Sequence, residues 1–154
     1  MIAARMFALS LAAVLLALAG CGSSPKTVTK AQYQAKLAKA GQAITVAGQQ
    51  LGRSITIPAF NGAVTDLQKA LRDGEKTLKG LQPPANARAA NERLAQAFGA
   101  LADALEPVKE ARRVSIVKAR QALGQLGKSA AITDGRAAIS ELNRLGYATG
   151  AAAP

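Results

Sequence analysis

Residue types that support enzyme chemistry are scarce in this sequence of 154 residues. It contains no histidine and a single cysteine, Cys21. The absence of histidine removes the usual general base near neutral pH, the Ser-His and Cys-His arrangements, and the commonest ligand for zinc, copper or haem. Carboxylates and lysines are the remaining candidates for catalysis. We expect no catalytic residue, no metal site and no cofactor.

Most of the nine acidic residues have a basic residue three or four positions further along the chain. On a helix this spacing produces surface ion pairs that contribute about 0.2–0.5 kcal/mol each. Asp103, Glu106 and Glu110 also share one helical face, but without a glycine-containing loop to wrap an ion we expect no calcium there. The predicted pairs are Asp66–Lys69, Asp73–Lys76, Glu75–Lys79, Glu106–Lys109, Glu110–Arg113 and Glu141–Arg144.

The densest basic stretch is KEARRVSIVKAR, residues 109–120. On one continuous helix Lys109, Arg113 and Arg120 lie within about 40° of one another, with Arg112 beside them. These four residues are the candidate anion-binding surface, for lipid head groups or polymer phosphates. The alternative is that their long side chains only extend into water from a kinked end of the domain. Because no aromatic residues interleave with the basic ones, we expect no specific nucleic-acid binding.

Residues 1–20 have the pattern of an export signal, with Arg5 followed by an apolar run from Met6 to Ala19. The run is shorter than the roughly 20 apolar residues that a membrane-spanning helix needs. It ends in Leu18-Ala19-Gly20-Cys21, which resembles the lipobox of bacterial lipoproteins. The resemblance implies cleavage between Gly20 and Cys21 and a diacylglyceryl group on the Cys21 sulfur. The alternative is a free or buried cysteine at the end of an ordinary membrane anchor.

Lipidation would place the mature chain on the outer face of a plasma membrane, or on the periplasmic side in a two-membrane envelope. Each buried methylene of an acyl chain contributes about 0.8 kcal/mol, so two or three chains would anchor it stably. The net charge is +11, and removing residues 1–20, whose only charged side chain is Arg5, leaves +10. Such a charge favours anionic lipids or anionic envelope polymers as partners.

The sequence divides into a signal peptide (1–20), a lipidated cysteine with a flexible tether (21–28), a helical domain (29–147) and a disordered tail (148–154). In the domain, apolar residues recur every three or four positions in four segments, and nothing alternates as a strand would. Four amphipathic helices with short connections predict an up-and-down four-helix bundle.

The helix boundaries follow from capping residues, prolines and glycines. Thr29 with Gln32 has the form of a capping box that starts the first helix. Gly127 and Ser129 separate the third helix from the fourth, which ends at Gly146. The first helix is broken over 52–58, the second runs from about Asn61 to the prolines at 83–84, and the third starts there.

The third helix should be kinked or broken near Pro107, because proline cannot donate the helical hydrogen bond. The apolar stripe of this helix slips in register between Leu105 and Ile116. Either the helix bends and continues through residues 107–114, or a short break falls between Pro107 and Arg113.

The segments LQPPAN (81–86), ANERL (90–94) and LADALEPV (101–108) resemble a pattern in helical lipoproteins of the actinobacterial type. The resemblance implies a lipid-anchored helical domain and adds no catalytic residue. We therefore expect a non-enzymatic envelope interaction or structural module with a basic surface. The alternative is a carrier that holds a lipid or another apolar ligand between its helices, in a cavity lined by Leu67, Leu71, Phe98 and Leu101.

Overall fold

The computed structural model of the chain describes residues 27–149. Over this range the chain is all-helical, as the sequence predicted, with six α-helices instead of four. They are α1 (Lys30–Arg53), α2 (Ile57–Lys79), α3 (Arg88–Ala104), α4 (Glu106–Val114), α5 (Ile116–Leu126) and α6 (Ala130–Arg144), and a short 3-10 turn, Ala85–Ala87, precedes α3.

Helix α1 starts as predicted. The Thr29 hydroxyl accepts a hydrogen bond from the Gln32 backbone N–H (3.2 Å), and the Gln32 side chain accepts one from the Thr29 N–H (3.0 Å). Helix α2 starts four residues before Asn61, because Thr56 caps it. Pro58 lies in its first turn, where proline needs no hydrogen-bond partner.

The predicted third helix is divided into α3, α4 and α5. It is broken near Pro107, as predicted, and a second break lies beyond the expected interval. The first break is at Leu105, where the backbone stays near helical geometry (φ −80°, ψ −15°) and the chain bends. Pro107 follows in the first turn of α4. The second break is at Ser115, whose extended backbone (φ −165°, ψ 156°) ends α4 and caps α5.

Two hydrophobic clusters fill the domain, one at each end. The base cluster joins α1, α2, α3 and α6 around residues such as Tyr33, Leu94 and Leu142. The tip cluster joins α1 and α2 with the end of α3, α4 and α5 around residues such as Phe60 and Val108. Helices α1, α2 and α3 contribute to both clusters, whereas α6 contributes to the first and α4 and α5 to the second.

Helices α2 and α3 approach each other closely where each carries a glycine. A Cβ atom on Gly74 would lie 3.0 Å from the Phe98 ring, and one on Gly99 would lie 2.7 Å from the Glu75 carboxylate. Phe98 packs against both hydrophobic clusters. Gly74 therefore makes room for Phe98, which connects the two cores, and Gly99 makes room for the Glu75 side chain.

The last helix ends as predicted. Gly146 has a positive φ of 78°, the left-handed conformation that commonly ends a helix. Tyr147 and Thr149 follow it and are buried, at 3% and 6% exposure. Thr149, which the sequence analysis assigned to the tail, thus lies in the packed part of the domain, while positions 150–154 lie outside the described residues.

Candidate anion-binding surface

Three of the four predicted basic residues line one groove. Lys109, Arg112 and Arg113 lie on α4, opposite Asn61 and neighbouring residues in the first turns of α2. The groove has a volume of about 260 Å³.

Arg120 does not join them, contrary to the prediction from a single continuous helix. The extended residue Ser115 interrupts the helix between α4 and α5, so the angular relation that placed Arg120 beside Lys109 on one continuous helix does not hold. Its guanidinium instead donates to the backbone carbonyl of Ser54, at 3.5 Å, in the turn between α1 and α2.

The groove carries both signs of charge. Lys109 pairs with Glu106 at 3.0 Å, and Arg113 pairs with Glu110 at 3.1 Å. A hydrogen bond from Gln68, and a smaller contribution from the one donated by Lys109, lower the pKa of the Glu106 carboxyl. Among residues 27–149 no carboxylate pairs with Arg112, which is therefore the uncompensated cation of the groove.

The predicted acidic patch is divided between α3 and α4. Asp103 stays on α3 and pairs with Arg72 of α2, whereas Glu106 and Glu110 lie on α4 with their own cations. No cluster of three potential metal ligands exists within the described part of the chain.

Four of the six predicted ion pairs form. Besides the two on α4, Lys79 lies 2.6 Å from Glu75 and Arg144 lies 2.7 Å from Glu141. Lys69 pairs with Asp73 (2.5 Å), whereas the sequence pattern had assigned it to Asp66. Hydrogen bonds from Lys79 and Arg72 lower the pKa of the Glu75 carboxyl, which lies between α2 and α3.

A buried polar network at the base end was missed by the sequence analysis. The Tyr33 hydroxyl donates to the Asn91 side-chain oxygen at 3.0 Å, and the Asn91 amide donates to the Leu78 carbonyl at 3.0 Å. The Tyr147 ring meets Tyr33 edge-on, with centroids 5.3 Å apart. Burial raises the pKa of the Tyr33 hydroxyl well above its usual value. An asparagine between apolar positions 90 and 94 is the sequence signal for this network.

The residues proposed to line a carrier cavity all belong to the tip cluster. Leu71 is buried, and the other three pack against the cluster in partly buried positions. These are Leu67, Phe98 and Leu101.

The predicted lipidation site, Cys21, and the predicted cleavage position, Gly20, lie outside the described residues. Within residues 27–149 no helix combines the length and apolar character needed to cross a bilayer. No protein-family model, curated protein or solved structure matches the chain.

Proposed function

We propose that this protein is an extracytoplasmic lipoprotein, held on a bacterial membrane through Cys21, whose helical domain binds anionic components of the cell envelope without catalysing a reaction. We interpret the domain as a four-helix bundle of α1, α2, α3 and α6 at the base, with α4 and α5 packed against α1, α2 and the end of α3 at the tip. The Leu18–Cys21 motif supports the location, and a group of unpaired cations supports the binding role.

The basic end, defined as Arg53, Arg112, Lys118 and Arg120, is the observation that carries the binding proposal. In the part of the chain that the structure describes, none of these four cations has a carboxylate partner within ion-pair distance. Arg120 contacts Ser54, next to Arg53, and Arg112 lines the groove at the start of α2. The four cations therefore surround the same end of the domain.

The anchor is tested by mass spectrometry of the protein recovered from the membranes of its host. The expected species begins at Cys21 and carries a diacylglyceryl group. A Cys21→Ser variant should lose the modification and leave the membrane fraction. Recovery of a chain with an unmodified Cys21 and residues 1–20 still attached contradicts the proposed location.

The binding role is tested with a chain that starts at residue 21 and carries Cys21→Ser, which keeps every described helix and removes the acyl chains. It should bind vesicles containing phosphatidylglycerol more tightly than phosphatidylcholine vesicles, and binding should weaken as salt rises. Each Lys or Arg near an anionic surface contributes about 1 kcal/mol. Removing three residues of the basic end by Arg112→Ala, Lys118→Ala and Arg120→Ala should therefore weaken binding about 100-fold.

A second triple variant provides the matched control. Lys36→Ala, Lys76→Ala and Arg136→Ala remove the same charge from exposed positions on α1, α2 and α6. This variant should lose much less affinity. An equal loss in both variants would mean that binding follows net charge alone, and equal binding to both vesicle types would refute the proposal.

A further inference from the structure

The apolar tip, defined as Ile55, Ile57, Val114 and Val117, contains four of the five large hydrophobic side chains exposed over residues 27–149. Ile55 is 84% exposed, Val114 66%, Val117 61% and Ile57 54%. The fifth such residue, Val46, lies apart from them on α1. Single exposed hydrophobic residues are ordinary, but a group at one place marks an interaction surface.

These four side chains flank two turns at the same end of the domain. Ile55 and Ile57 lie on either side of Thr56 between α1 and α2, and Val114 and Val117 lie around Ser115 between α4 and α5. The hydrogen bond from Arg120 to the Ser54 carbonyl joins the second turn to the first. Below both turns, Leu51, Phe60 and Ile116 pack together in the tip cluster.

The two segments that carry the apolar tip contain basic residues and no acidic ones. Residues 51–65 and 111–133, which contain both turns, include no aspartate or glutamate. The basic end belongs to these same segments, with Arg53 beside the first turn and Arg112, Lys118 and Arg120 around the second. Exposed branched aliphatic side chains and unpaired cations thus occur together in the same two segments.

We propose that the apolar tip inserts into the interfacial region of an anionic phospholipid bilayer while the basic end contacts the head groups. The inference rests on the proposed function and deepens it, because it names the bilayer as the anionic surface. An anionic polymer would neutralise the cations but would offer no apolar phase for Ile55 and its neighbours. A bilayer supplies both, with phosphates at the level of the cations and acyl chains below them.

The position of the apolar tip makes this contact separate from the anchor. Helix α1 has 24 residues and is therefore about 36 Å long, with the tether at its first residue and Ile55 just beyond its last. The apolar tip and residue 27, the first described residue, therefore lie at opposite ends of α1. Binding through the apolar tip should therefore persist without acylation.

The absence of tryptophan from the chain permits a direct test of insertion. Val114→Trp places a fluorophore in the apolar tip, and Val46→Trp places one at an exposed valine on α1 as the matched control. Both are made in the non-acylated chain and mixed with phosphatidylglycerol vesicles whose acyl chains carry bromine. We expect a blue shift and bromine quenching for Val114→Trp, and neither for Val46→Trp.

A second variant separates insertion from electrostatic attraction. Ile55→Ser with Val117→Ser keeps every charge, and burying one large aliphatic side chain is worth about tenfold in affinity. The double variant should therefore bind at least tenfold more weakly, and its residual binding should vanish at high salt. Val46→Ser should bind as the unchanged chain does. Unaltered thermal melting of the double variant would show that its fold is intact.

The outcomes distinguish this inference from the proposed function. Vesicle binding that depends on Arg112 and Lys118, without quenching of Val114→Trp, would overturn insertion and leave the electrostatic role standing. If the unchanged, non-acylated chain does not bind anionic vesicles, both the insertion and the electrostatic role are overturned. Self-association of the unchanged chain that is abolished by Ile55→Ser with Val117→Ser, without quenching in vesicles, would assign the apolar tip to a second copy of the protein and overturn the bilayer proposal.

Discussion

Replacing Asn91 by alanine should destabilise the domain strongly, because its side chain connects three elements. Its oxygen accepts from Tyr33 of α1, and its amide donates to the Leu78 carbonyl near the end of α2. Asn91 itself belongs to α3 and is only 6% exposed. Alanine removes both hydrogen bonds and leaves the Tyr33 hydroxyl, on a fully buried residue, without its acceptor.

The magnitude follows from the partners that remain. A buried hydroxyl without a hydrogen bond costs about 1–3 kcal/mol. The Leu78 carbonyl costs less, since it keeps a hydrogen bond from the Leu81 N–H at 3.3 Å. We therefore expect Asn91→Ala to lower the free energy of unfolding by about 2–3 kcal/mol. At about 4 °C per kcal/mol for a domain of this size, the melting temperature should fall by about 8–12 °C.

The assay is a double-mutant cycle that combines Asn91→Ala with Tyr33→Phe. Urea unfolding measures the stability of the unchanged chain, the two single variants and the double variant. Because Tyr33 and Asn91 contact each other, the double variant should be about 0.5–2 kcal/mol more stable than additive losses predict. Losses that add within about 0.3 kcal/mol would refute the view that the hydrogen bond between these side chains stabilises the base end.

Three further predictions concern pH, close packing and capping. Burial raises the pKa of Tyr33, so above about pH 10 its hydroxyl stays protonated in the folded chain while it ionises in the unfolded chain. The free energy of unfolding should therefore fall as the pH rises above about 10, and it should fall up to about 1.4 kcal/mol per pH unit more steeply than in Tyr33→Phe. Gly62→Ala, whose Cβ would meet no atom within 4 Å, should stabilise by about 0.5–1 kcal/mol. Gly99→Ala should stabilise less, because its Cβ would displace the Glu75 carboxylate from its ion pairs with Arg72 and Lys79. Ser115→Ala should cost about 1 kcal/mol through loss of the α5 cap.

Each of these has a clear contrary result in equilibrium unfolding. Parallel alkaline slopes for the unchanged chain and Tyr33→Phe would show that Tyr33 does not titrate differently in the two states. Equal stabilisation by Gly99→Ala and Gly62→Ala would mean that α2 and α3 are not in close contact at Gly99. If Ser115→Ala leaves the free energy of unfolding unchanged, the hydrogen bond from the Lys118 N–H to the Ser115 hydroxyl does not stabilise the start of α5.

Local signals in the sequence were sufficient for the helical class and for several helix ends. Thr29 with Gln32 and the glycine at 146 act through neighbouring backbone groups, so their effect is readable from a few residues. The break at Ser115 was missed, because it brings residues of α4 and α5 together with α2 in the tip cluster, and such contacts between distant segments are not visible in a local sequence pattern. The other break was predicted near Pro107, and it lies at Leu105, two residues earlier, so that the proline occupies the first turn of α4.

The candidate site shows the same division between local and tertiary information. Lys109, Arg112 and Arg113 are within one short helix, so their proximity followed from the sequence. Arg120 was misplaced because one extended residue redirects everything after it. The exposure of Ile55 and Val117 could not be predicted from the sequence. An aliphatic residue near a turn is buried only if another part of the chain packs against it, and that depends on the tertiary structure.

Helices α4 and α5 belong to only one of the two hydrophobic clusters, so this part of the chain can change without altering the other cluster. Helices α4 and α5 contribute no residue to the base cluster, and they are joined to the remainder at Leu105 and Gly127. A hairpin connected in this way can be exchanged or lengthened while the Tyr33–Asn91 end keeps its packing. Related chains are thus expected to diversify fastest between positions 105 and 127, and chimaeras with boundaries at these two residues should retain a folded base.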